Sequence, residues 1–326
     1  MKNVQQVDKT LEQVAYREEQ ERFAGFVSEL RMRGRADKTI GSYRSDWIGL
    51  NEWAKDTAGE SFSVMTVDPT QLTEYVAHLQ AQDMRPATIN RKLVFVKRYV
   101  AWAAGRGLVD EALNRKIRSV KPIPQGPRRP KGLSDIELKR FLREVERRAS
   151  PRDQAIIYTL LGTGLRVSEL AELDMSQVVN NGRRTHILVH DYRPHGTRVR
   201  RLSITGLAKR KLRQYLIYRG RSTGLVFLGE RGPLTSNAIQ RIVRKYCGFA
   251  KVKVSPSTLR HTFANAFLAA DGDVVALADL LGHESLETTR LYLSGQHEAA
   301  LMANGESTPG LNRPMVIAGI ISDELE

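Results

Sequence analysis

A chain of 326 residues is long enough for about two domains, and its 41% hydrophobic and 27% charged residues support packed cores and exclude general disorder. Lys and Arg number 51 against 36 Asp and Glu, a formal net charge of +15, the balance of a protein that holds a polyanion and releases counterions as it does so. With no run of about 18 apolar residues, no signal-peptide core and a single cysteine, Cys247, the expectation is a cytoplasmic protein with no membrane partner, disulfide framework or multi-cysteine metal site.

Four helices are predicted first. One runs from Thr10 to Met32, with Gly34 just beyond it. The next starts near Lys38 and carries Tyr43, Trp47, Leu50 and Trp53 at helical steps. The third spans Pro69 to Gln82, and the fourth starts at Pro86, a favoured first-turn position, and carries Ile89, Leu93, Val96 and Val100. Arg85, Arg91, Lys92, Lys97 and Arg98 crowd this fourth helix, which suits it to a DNA groove, with a solvated face as the alternative.

The segment from Leu113 to Gly132 carries seven basic residues between Arg115 and Lys131, among them Lys121, Arg128, Arg129 and Lys131, and no acidic one. Its four prolines, Pro122, Pro124, Pro127 and Pro130, predict an extended strap that lies along a phosphate backbone. The expected organisation is a helical DNA-binding domain over 1–112, a linker over 113–132, a larger domain over 133–302 and a tail over 303–326. The tail turns apolar from Met315 to Ile321 and is a candidate for docking on a neighbouring copy.

In the larger domain, Ser134 caps a first helix, a second covers Asp153 to Leu161 and ends at Gly162-Thr163-Gly164, and a third starts at Ser168. The period then changes: His186–His190 and Arg201–Ile204 read as strands around a loop with Pro194 and Gly196. Helices resume near Leu207 and from Ser236, so the fold class is all-α for the first domain and mainly helical α+β with a small antiparallel sheet for the second.

Three segments carry chemistry. Thr163-Gly164-Leu165-Arg166-Val167-Ser168-Glu169-Leu170 puts Arg166 at a turn beside exposed helix N–H groups, a place to meet a phosphate. Ser255-Pro256-Ser257-Thr258-Leu259-Arg260-His261-Thr262-Phe263-Ala264 puts Arg260 and His261 in the first turns of a helix. Leu280-Leu281-Gly282-His283 ends a helix, and Ser285 caps the next, which is expected to carry Tyr292 two turns along.

In this order and spacing the three segments resemble the signature of the tyrosine recombinase (phage integrase) family, whose members include the Xer- and Cre-like site-specific recombinases. TGLRVSEL resembles the first arginine box, LRHTFA the second, and LLGHESLETTRLY the histidine-to-tyrosine box. The resemblance covers roughly residues 20–300 and implies DNA strand cutting and rejoining through a 3′-phosphotyrosyl link to Tyr292, with Arg166, Arg260 and His283 around the phosphate and neither a metal nor another cofactor. It further implies a clamp on duplex DNA bearing paired inverted-repeat sites and a tetramer of protomers on that DNA. The chemistry fits, because a phosphodiester exchanging oxygens builds charge that two arginines clamp bidentately, while a phenol with an ordinary pKa near 10 has a proton to lose.

Two positions depart from the family pattern. Ser257 stands where the second box usually opens with histidine, and His195 falls where the family carries a lysine that protonates the leaving 5′-oxygen. A catalytically weak or inactive DNA-binding accessory factor and a type IB topoisomerase are the alternative readings.

Overall fold

Apolar spacing and capping chemistry set five helices in the first of two units, Met1–Pro127 and Arg128–Glu326, into which the chain divides. The computed structural model describes residues 2–126, 130–181, 184–193, 196–220, 223–230 and 232–293.

The first unit holds α1 (Lys2–Met32), α2 (Asp37–Ala58), α3 (Pro69–Ala81), α4 (Pro86–Ala104) and α5 (Glu111–Ser119). α1 starts eight residues before the expected Thr10. α3 opens on a reciprocal capping box, Asp68 accepting from the Gln71 backbone while the Gln71 side chain accepts from the Asp68 N–H, with Pro69 pre-set in its first turn. Aromatic rings from three helices fill the core: Phe23 stacks on Trp47 at 4.8 Å and meets Tyr99 edge-on at 5.7 Å.

The basic segment is shorter than the sequence predicts. Residues 113–119 are not extended but belong to α5, because Asp110 caps the helix by accepting from the Leu113 N–H and the prolines begin only at Pro122. Ile117 is fully buried in the first unit's core, so a helix face and not a strap occupies these positions. Lys121 and Lys131 are exposed, and Arg128 and Arg129 lie outside the described residues.

The cations of α4 are engaged within the unit. Arg91 grips the buried carboxylate of Asp46 with both terminal nitrogens, and Lys92 sits 3.3 Å from the same group. Lys97 donates to the carbonyls of Arg118 and Val120, which pins the end of α5, while Arg98 donates to the Tyr43 hydroxyl at 2.9 Å. Arg85, the residue before α4, is exposed.

The second unit holds α6 (Asp135–Arg148), α7 (Pro151–Thr163), α8 (Val167–Ala171), a 3-10 turn at Met175–Gln177, the strands β1 (Val178–Asn180), β2 (Thr185–Arg193) and β3 (Gly196–Ile204), then α9 (Gly206–Arg219). After it come the two-residue strands β4 (Leu228–Gly229) and β5 (Gly232–Pro233), followed by α10 (Ser236–Ala250), α11 (Pro256–Ala269), α12 (Val274–Leu281) and α13 (Leu286–Arg290). β1, β2 and β3 form one antiparallel sheet in that order, with Val178 opposite Ile187 and Ile187 opposite Leu202. The hairpin strands are longer than expected, and β1 is an edge strand too short to show period-2 alternation.

α7 is buried almost all round and packs against α9 and α11 at the centre of the unit. Its buried Asp153 accepts from the Tyr246 hydroxyl of α10 at 2.8 Å. The chain enters the unit pressed on α11: the Leu133 N–H donates to Thr262 Oγ1 at 2.8 Å, and a Cβ on Gly132 would meet the Thr262 backbone at 2.9 Å. A smaller apolar cluster of Phe263, Leu268, Leu277, Leu281 and Leu293 supports the end of the chain that carries Tyr292.

Because Ile117 is a core residue and not part of a solvated strap, Ile117→Ala is expected to cost about 2–5 kcal/mol in urea unfolding of the whole chain. A change below about 0.5 kcal/mol, the ordinary result for a surface site, would contradict the assignment of α5 to the core.

Candidate active site

Two left-handed glycines shape the site. Gly164 ends α7 at φ 64°, and a Cβ there would lie 2.5 Å from the Phe263 ring, so neither the backbone angle nor the packing admits another residue. Gly282 ends α12 at φ 63°, and a Cβ there would meet the Arg200 guanidinium at 2.7 Å. Both turns leave main-chain carbonyls pointing at arginines.

Arg260, in the second turn of α11, is buried and donates to both turns, from Nη1 to Gly164 O at 2.8 Å and from Nη2 to Leu281 O at 2.6 Å. Burial, and then the neighbouring charge of Arg166, push its pKa down to about 10, so it stays cationic at neutral pH. Arg166 is itself the N-cap of α8, which starts one residue before the expected Ser168. Its N–H and Nη1 both donate to the Glu169 carboxylate, each at 2.7 Å, and Nη2 donates to Gly282 O at 2.6 Å. Pairing with Glu169 does not exclude the expected meeting with a phosphate, because the fork has donors left over.

Arg200 is the site residue that sequence reasoning missed. It lies on β3 with its side chain 2% exposed, gripped by Asp191 at 2.7 Å and by Glu169, and it donates to Leu280 O at 2.8 Å. The available signal was alternation: Arg200, Leu202 and Ile204 form the buried face of β3. Arg200 thus fixes the carboxylate that holds Arg166 and the turn that precedes His283.

The histidines and the tyrosine converge beside these arginines. His283 Nδ1 is 2.7 Å from the hydroxyl of the buried Thr289, and its ring stacks on Tyr292 with centroids 6.4 Å apart. Burial and the charges of Arg260, Arg166 and Arg200 push the His283 pKa down to about 4, so it is neutral at pH 7. Tyr292 does not sit on a helix as expected. α13 ends at Arg290, and Tyr292 follows in the turn, its N–H donating to Thr289 O at 3.0 Å. The Tyr292 hydroxyl is 2.7 Å from His261 Nδ1, and burial raises its pKa despite the pull of Arg260.

Ser257 does not stand alone at the place of the usual histidine: its Oγ is 2.9 Å from His261 Nε2, one turn along α11. The sequence signal for His261 was this i, i+4 spacing. His195 lies outside the described residues, and Arg198 pairs with the exposed Asp279 at 2.5 Å. Among the described residues no group of three or more His, Cys, Asp or Glu could hold a metal ion, and no helix is long and apolar enough to cross a membrane.

Removing the buried Arg200 leaves two half-buried carboxylates undercompensated, so Arg200→Ala is expected to cost about 3–5 kcal/mol in urea unfolding, whereas Arg198→Ala, at an exposed pair, changes it by about 0–1 kcal/mol. Equal effects at the two positions would contradict the role given to Arg200.

Comparison with known proteins gives the family. Residues 131–298, more than half of the chain, match the phage integrase family, and residues 23–107 match the phage integrase N-terminal SAM-like domain. The chain is 30% identical to tyrosine recombinase XerD of Ralstonia nicotianae over 79% of this chain and 84% of that one, and 28% identical to tyrosine recombinase XerC of Neisseria meningitidis over 83% and 89%. Its fold is similar to XerH site-specific recombinase bound to palindromic difH substrate in a post-cleavage complex, with a TM-score of 0.67 at 19% identity over 85% of each chain. It is also similar to the Tn1549 transposon integrase bound to circular intermediate DNA, with a TM-score of 0.62 at 20% identity over 86% of this chain and 98% of that one. The chain belongs to the phage integrase family, the tyrosine-type site-specific recombinases that transfer DNA strands.

Proposed function

We propose that Tyr292 is the nucleophile of this recombinase and that Arg166, Arg260 and His283 bind the phosphate it attacks. The observation that carries the reading is that Arg166 and Arg260, from two other segments, both donate to the turn before His283, whose ring stacks on the Tyr292 phenol. Arg166 and Arg260 keep N–H groups unspent by their carbonyl and carboxylate partners, and these clamp the non-bridging oxygens as charge builds. With Thr289 donating to Nδ1, neutral His283 offers its Nε2–H as a further donor.

The reaction forms a bond between the Tyr292 oxygen and phosphorus and releases a 5′-hydroxyl. The 5′-hydroxyl of a partner duplex then attacks phosphorus and frees the tyrosine, so the bond energy stays in the phosphotyrosyl link. His195 is the general acid in this reading. The substrate is duplex DNA with paired inverted repeats, on which four protomers assemble inside the cell. Residues 304–326 dock on a neighbouring protomer, while Arg85, Arg91, Lys92, Lys97, Arg98, Lys121, Arg128, Arg129 and Lys131 contact backbone phosphates. Solved relatives bound to DNA support this choice of substrate, among them a lambda integrase dimer on a COC' core site.

A nicked suicide substrate, which traps the covalent intermediate, tests the reading. The wild-type chain is expected to give a protein–DNA adduct that Tyr292→Phe abolishes, and Arg166→Ala to form it about 10²–10³-fold more slowly with DNA binding retained. An unchanged adduct in Tyr292→Phe, or none in wild type, would overturn it, the latter in favour of an accessory DNA-binding role.

A further inference from the structure

Cleavage at Tyr292 needs a group to receive the phenol proton, and burial makes that proton harder to lose. The position at which the family usually places a histidine is Ser257, whose hydroxyl cannot accept a proton near neutral pH. We propose that His261 is the general base of this enzyme, with Ser257 setting its tautomer. The inference rests on the assignment of Tyr292 as nucleophile.

The geometry carries it. Among the described residues His261 Nδ1, at 2.7 Å, is the hydrogen-bond partner of the Tyr292 hydroxyl. For Nδ1 to accept, the ring hydrogen must be on Nε2, and there it donates to Ser257 Oγ at 2.9 Å. Because Ser257 and His261 are four residues apart on α11, the helix itself holds the serine oxygen against the ring. That bond persists when the ring takes a second proton, so Ser257 stabilises the imidazolium without changing partner.

The surroundings keep the base ready. Burial and Arg260 lower the His261 pKa below 6.5, so Nδ1 is unprotonated at neutral pH. The groups facing the ring are Arg260 from α11, His283 from the turn after α12, and Tyr292. His283, with its pKa pushed down to about 4, brings no competing proton. In cleavage the Tyr292 O–P bond forms, the P–O5′ bond breaks, the phenol proton moves to Nδ1, and the 5′-oxygen leaves with a proton from the general acid or from water. In rejoining, the 5′-hydroxyl attacks phosphorus as its proton passes back to the general acid or to water, and Nδ1–H returns its proton to the departing Tyr292 oxygen.

The test is single-turnover adduct formation on the nicked suicide substrate by the full chain, between about pH 5.5 and about pH 9.5, comparing wild type with His261→Gln. Gln keeps a hydrogen-bonding group beside the phenol and cannot take its proton. The wild-type rate is expected to fall below pH 6.5, as Nδ1 becomes protonated, and to be flat above it. His261→Gln is expected to be about 10²-fold slower near pH 7, with a deficit that shrinks as pH rises towards the tyrosine range. A 5′-bridging phosphorothiolate, whose sulfur leaves without a proton, is expected to leave the deficit in place.

A His261→Gln rate within about threefold of wild type near pH 7, a deficit equal at every pH, or rescue by the phosphorothiolate would overturn the assignment. The second of these outcomes indicates a packing role and the third an acid role. Should His261→Gln fail to fold, Ser257→Ala decides: a slower reaction with its acid limb moved to lower pH supports the relay, and an unaltered profile overturns it. A wild-type adduct lost in Tyr292→Phe but undiminished in His261→Gln defeats this inference alone, whereas an absent wild-type adduct defeats the nucleophile assignment beneath it.

Discussion

The site depends on one buried guanidinium. Arg260 spends two N–H groups on carbonyls that two helices leave exposed, Gly164 O after α7 and Leu281 O at the end of α12. Burying an arginine is costly unless its donors are met, and here the helix ends supply the acceptors. The same bonds fix the turn that presents Arg166 and the turn that presents His283. The residue proposed to bind substrate charge is thereby also the brace that sets the distance between its neighbours.

The electrostatics follow from that crowding. Three arginines, Arg166, Arg200 and Arg260, share two carboxylates, Glu169 and Asp191, which leaves a positive excess in a partly buried place. Burial first, and then that excess, lower the pKa of Arg260 and keep His283 neutral. A bound phosphate diester, carrying one negative charge, relieves it. Arg200 spends its guanidinium within the protein. Its two carboxylate partners and its contact with Leu280 O make it the support that keeps Glu169 on Arg166.

Much of this was legible in the sequence because caps and spacing are local. The Ser134–Glu137 and Asp68–Gln71 boxes, the glycines after α7 and α12, and the three chemical segments all announce themselves within a few residues. What stayed hidden was set by distant contacts. α5 owes its place to Ile117 in the core, β1 to pairing with β2, and Arg200 to carboxylates on two other elements. Tyr292 leaves the helix pattern because α13 stops after five residues, though Ser285 caps it as expected. His261 was in plain view beside Arg260; its bond to Tyr292, 31 residues away, was not.

The most direct measurement is the identity of the residue that carries DNA in the trapped complex. After nuclease trimming and proteolysis, mass spectrometry of the peptide that starts at Leu291 is predicted to find the nucleotide remnant on the oxygen of Tyr292. The remnant on any other residue, or a covalent complex in which the Tyr292 peptide is unmodified, would contradict a site built around that phenol.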